Sequence, residues 1–85
     1  MPEFRFVHRY DPSYGWDFSC EEHRIRGGLE HLPHYRYEDC VREAESALRF
    51  FLVDVYEELG EPLPRAEDVR IVHVRETPAA VVPAA

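Results

Sequence analysis

Apolar and polar residues first alternate with a period of two. Phe4, Phe6, His8 and Tyr10 interleave with Glu3, Arg5, Val7 and Arg9, a spacing that turns successive side chains to opposite faces of a strand. Asp11-Pro12-Ser13-Tyr14-Gly15 reads as a hairpin loop, because Pro fixes φ at the turn start and Gly tolerates φ > 0 at its end. Trp16, Phe18 and Cys20 then alternate with Asp17, Ser19 and Glu21 as a second strand facing the same core. Ile25, Leu29 and Leu32 lie among Arg, His, Gly27-Gly28 and Pro33, so a third, irregular strand is expected near 24–30.

From Tyr37 the period lengthens. Tyr37, Cys40, Val41, Ala44, Ala47, Leu48, Phe51, Leu52, Val55 and Leu59 recur at three- and four-residue steps, the signature of an amphipathic helix. Glu38 and Asp39 suit the positive end of the helix dipole, whereas Arg36 near the cap does not. Gly60, followed by Pro62 and Pro64, supplies the stop. At 1.5 Å per residue the helix is about 33 Å long, enough to cross a small sheet. Val69, Ile71, Val72 and Val74 form a β-branched final strand, expected to rejoin the sheet beside the first. Residues 77–85 have neither charge beyond Glu76 nor a clear period and read as a C-terminal tail. The pattern predicts a single α+β domain over residues 1–76, a small antiparallel sheet packed on one long helix.

Composition narrows what such a domain does. Apolar and charged fractions of 45% and 32%, with five Phe, five Tyr and one Trp, suit a folded chain rather than a disordered one. All ten basic residues are arginine, and 17 acidic residues bring the net charge to −7. Such a surface repels phosphate backbones and attracts a basic protein, although the same charge also serves simple solubility. Neither an export signal nor a stretch of about 20 apolar residues is present, and with two cysteines the expectation is a reduced, cytoplasmic protein.

Candidate chemistry is sparse. Cys20-x-x-His23 and His31-x-x-His34, with Cys40, have spacings that place two ligands on one metal, but Cys20 and Cys40 fall on core-facing positions. Asp11, Asp17, Glu21, Glu22 and Glu30 show no converging set of three of the kind a two-metal nuclease requires. Ser13, Ser19 and Ser46 have no base beside them, and no phosphate-cradling loop occurs. The expectation is a non-enzymatic module without metal or cofactor. Phe50 and Tyr56 fall just outside the apolar stripe; with Val81 and Val82 they are the candidate protein-interface residues, weighed against their merely widening the core.

Three strands from a hairpin start, a long helix leaving through Gly60-Glu61-Pro62-Leu63-Pro64, and a short last strand together resemble the HicB antitoxin family and its stand-alone relatives. Tyr14-Gly15-Trp16 is similar to the family's second strand, and Glu38-Asp39-Cys40 with Ala44 and Ala47-Leu48 to its acidic, alanine-spaced helix; the likeness covers roughly residues 3 to 75. The chain departs from the family at Ile25-Arg26-Gly27-Gly28-Leu29 and His34-Tyr35-Arg36-Tyr37, where a Leu-Pro-Gly-Cys-type turn and a Gly-Asp-Thr helix entry are usual. The resemblance implies a HicB-like β-β-β-α-β, partial ribonuclease-H-like fold without metal-binding acids. It also implies a homo-oligomer, dimer or tetramer, that neutralises a HicA-like toxin, a small basic mRNA-cleaving protein. Because residues 77–85 are few and not basic, no direct DNA binding is expected of them. The alternative is an orphan structural or regulatory oligomer with no toxin.

Overall fold

Alternate residues of β1 (Glu3–Asp11) meet the core as far as His8: Phe4, Phe6 and His8 are buried, while Tyr10 and the interleaved Glu3, Arg5 and Arg9 are exposed. The structure is a computed structural model that describes residues 2–27 and 36–76. The hairpin turn forms as its residues dictate. Tyr14 N–H donates to the Asp11 carbonyl at 3.0 Å, Ser13 N–H donates to Asp11 Oδ1 at 2.8 Å, and Gly15 adopts φ 102°. β2 (Gly15–Cys20) returns antiparallel to β1, with Val7 opposite Ser19 and Arg9 opposite Asp17.

A single 3₁₀ turn over Glu21–His23, closed by Arg24 at φ 57°, leads into β3 (Ile25–Gly27), antiparallel to β2. This strand occupies the start of the expected 24–30 segment, whose remainder lies outside the described residues. Phe18 stands opposite Gly27, and a Cβ there would come within 2.8 Å of the Phe18 ring. The glycine is therefore a seat for an aromatic ring from the neighbouring strand.

α1 (Tyr37–Leu59) has the expected bounds. Its N-cap Arg36 makes no side-chain cap, but Cys40 N–H donates to the Arg36 carbonyl at 3.2 Å. At the other end Gly60, at φ 68°, donates to the Glu57 carbonyl at 3.1 Å, and Glu61 N–H donates to Tyr56 at 3.0 Å. These two bonds are the Schellman arrangement that a left-handed glycine makes possible. Cys40, Ala44 and Leu48, at steps of four, are buried against Phe4, Phe6, Trp16, Phe18, Cys20 and Ile25, with Phe51, Leu52 and Val69 at the margin. Two of the three deepest helix residues are small, so the backbone lies close to the aromatic sheet face.

β4 (Arg70–Glu76) corrects the expectation of an antiparallel sheet. It pairs parallel to β1, from Glu3 opposite Arg70 to Arg9 opposite Glu76, giving the order β3-β2-β1-β4 in a mixed sheet. The reversal follows from α1 and the Pro62–Asp68 connection, which carry the chain back to the starting end of β1; Arg70 N–H then donates to the Pro2 carbonyl at 2.9 Å. A return of this length is what a parallel pair requires. The four-stranded sheet with one long helix is a small α+β fold, and the helix covers one face only, lying over β1, β2 and β3.

Candidate functional site

His8 is a fully buried imidazole on a strand otherwise lined with phenylalanine. A buried polar group without partners is costly, so the position demands them. Its Nδ1 lies 3.2 Å from Cys40 Sγ on α1 and its Nε2 2.8 Å from His73 Nδ1 on β4; His73 Nε2 in turn lies 3.1 Å from Glu45 Oε1 at the surface. One arrangement of neutral rings satisfies all three contacts. The Glu45 carboxylate only accepts, so His73 Nε2–H donates to it, His8 Nε2–H donates to His73, and the Cys40 thiol donates to His8. Tyr37 meets His8 edge-on at 5.2 Å, and the Arg75 guanidinium caps this end of the core over Trp16 and Tyr37, at 5.0 and 4.7 Å from the ring centroids.

The chain Cys40, His8, His73, Glu45 has the parts of a nucleophile relay but not its chemistry. Burial, reinforced by Asp17 and Glu43, pushes the Cys40 thiol up to about 12. Burial and the neighbouring His73 bring His8 down from 6.5 to about 4. The thiol stays protonated and out of solvent, whereas a reactive cysteine needs thiolate and access. The relay ties α1 to β1 and β4.

The other sequence candidates are distributed as follows. Cys20 and Cys40 are free and buried, and His23 packs against Phe4 and Phe51 at ring distances of 4.4 and 5.6 Å. Among the described residues no three His, Cys, Asp or Glu side chains group as a metal site; His31, His34 and Glu30 lie outside them. Asp11 and Asp17 share the uncovered sheet face with Arg9. Burial raises the Asp17 carboxyl, with Arg9 opposing and Asp11 adding to the rise. Beside them a concavity of about 580 Å³ is lined by Arg9, Asp17, Arg24 and Arg26, among others. Its three arginines outnumber its two acids, Asp17 and Glu21.

The interface candidates separate. Phe50 is 72% exposed. Tyr56, half-buried, lies six positions on, about 240° around the helix, and belongs to another flank. Val81 and Val82 lie outside the described residues. The companion of Phe50 is Val53, one turn on and also exposed, and at helical spacing Glu43, Asp54 and Glu57, with one arginine, Arg49, flank the pair. Charge is segregated in the same sense. Residues 37–68 hold ten acidic residues against three arginines, which is the whole net charge of −7, and the remaining acids and arginines balance at seven each. The helix and the connection after it are thus the negative part of the sequence, with Phe50 and Val53 exposed mid-helix and Leu59 exposed at its end.

Comparison with protein-family models, with curated proteins and with solved structures finds no match to this chain. Among the described residues, no helix is long and apolar enough to cross a membrane.

Proposed function

We propose that this chain is an antitoxin-like protein-binding module that docks a small basic HicA-type mRNA-cleaving toxin on the exterior of α1. The observation that carries the reading is Phe50, standing in solvent beside Val53 and flanked at helical spacing by Glu43, Asp54 and Glu57 against one arginine, Arg49. A large apolar side chain on a charged helix face gains from being covered. Its acidic surround favours a basic partner and disfavours nucleic acid. The element order β-β-β-α-β is the one the resemblance implies. The module acts by covering the toxin's RNA-binding surface, and no reaction is asked of the Cys40–His8–His73–Glu45 chain.

The test is suppression of RNA cleavage by a purified HicA-type toxin as this chain is titrated in. Stoichiometric loss of cleavage is expected, together with at least about tenfold weaker binding after Phe50→Ser, the scale of an interface anchor. Undiminished cleavage at saturating chain would reject the reading and leave the orphan structural or regulatory domain in its place.

A further inference from the structure

Among the described residues β4 is a sheet edge of seven residues with no proline or bulge, and its charges are Arg70, Arg75 and Glu76. The N–H and C=O of one strand residue point to the same side, and the side alternates along the strand. Arg70 N–H donates toward β1, at Pro2. Arg70, Val72, Val74 and Glu76 are therefore the residues bonded to β1, and Ile71, His73 and Arg75 turn their backbone groups to the open edge. Ile71 is 40% exposed. Among the described residues the helix reaches β4 through the Glu45–His73 bond and the Tyr37 ring under Arg75, both on the covered face rather than at the edge.

In the sequence of this edge, Arg70-Ile71-Val72-His73-Val74-Arg75-Glu76, the residues at equal distances from His73 pair Arg70 with Glu76 and Val72 with Val74. We propose that β4 pairs antiparallel with β4 of a second copy about a two-fold axis at His73, joining two four-stranded sheets into one of eight strands. In that register His73 faces His73 of the second copy, and Ile71 faces Arg75. These are the residues with free backbone groups, so every pair they form is a hydrogen-bonded one. Val72 faces Val74 in the intervening pairs, extending on the uncovered face the row in which Val7 lies opposite Ser19 and Val74. Arg70 faces Glu76.

That last pairing completes an alternation already half built in one chain. Asp17 is opposite Arg9, Arg9 is bonded to Glu76 at 2.9 Å, and Arg70 lies 3.8 Å from Glu3. Joined at the edge, the row reads Asp17, Arg9, Glu76, then Arg70 and Glu3 of the second copy, opposite in sign at each step. A register shifted by two residues would place Arg70 opposite Val74 and leave Glu76 unmatched, and parallel pairing in register would set Arg70 against Arg70. The second copy of this chain is thus the occupant that the charges select, and the assembly does not depend on the toxin reading.

Light scattering on the purified full chain should give twice the 10.0 kDa chain mass. Arg70→Glu and Glu76→Arg each place like charges across the two-fold and should each weaken self-association by about tenfold or more. Mixing the two variants restores both opposite-charge pairs and should recover a heterodimer, a readout that a folding defect cannot imitate. Oxidation of a Val72→Cys/Val74→Cys double variant should link two chains covalently, as the non-hydrogen-bonded pair brings those positions close. A wild-type chain that scatters as a monomer would overturn the proposal. So would a dimer whose mass, mixing behaviour and cross-linking are untouched by these changes, because another surface would then hold it.

Discussion

At His8 the alternation of β1 asks for an apolar side chain and receives an imidazole. It is tolerated because each ring nitrogen has a partner and because the ring stays neutral: burial and His73 bring it to about 4, against 6.5 in the unfolded chain. Between those pH values the unfolded chain takes up a proton that the folded chain refuses, so stability present above pH 6.5 is lost as pH falls toward 4. Cys40 sets the opposite limit. Its thiol is held at about 12 against 9.0 when unfolded, so stability complete below pH 9 is lost as pH rises toward 12. The acid limb amounts to about 3 kcal/mol and the alkaline limb to about 4 kcal/mol. Urea midpoints measured across pH should show a plateau between these limits. His8→Phe should flatten the acid side and Cys40→Ala the alkaline side, and a limb of full depth in its own variant would refute the assignment.

At the scale of elements, the hairpin, α1 and the stop at Gly60 were legible because each is encoded locally, by period, turn chemistry and a left-handed glycine. The direction of β4 was not, since parallel pairing depends on where the helix returns the chain rather than on the strand's own residues. The relay escaped sequence reading for a similar reason: Cys40, Glu45 and His73 are far from His8 along the chain. The one local signal was a histidine in a row of core aromatics. Gly27 was legible as an irregularity but not as a seat for Phe18. Gly27→Ala forces its methyl against that ring, and the variant should lose about 1–3 kcal/mol in denaturant unfolding, the usual cost of overfilling a packed site. Unchanged stability would mean that Phe18 swings away freely.

For the whole molecule the decisive property is the segregation of charge, with six acids against seven arginines on the described residues outside 37–68 and the acidic excess on the segment that carries Phe50. A partner steered to this side by long-range attraction is sensitive to ions, so its affinity for the chain should fall as salt rises, through the association rate above all. The β4 edge lies away from the Phe50 face, so self-pairing and partner binding are compatible in one assembly. The most direct test of the account is residue-resolved: backbone amide resonances of the labelled chain followed while a HicA-type toxin is titrated in. The account predicts that the largest shifts fall on the outer face of α1, between Glu43 and Glu57 and centred on Phe50. Saturable binding that instead moves the resonances of the uncovered sheet face, or a titration that moves none, would contradict it.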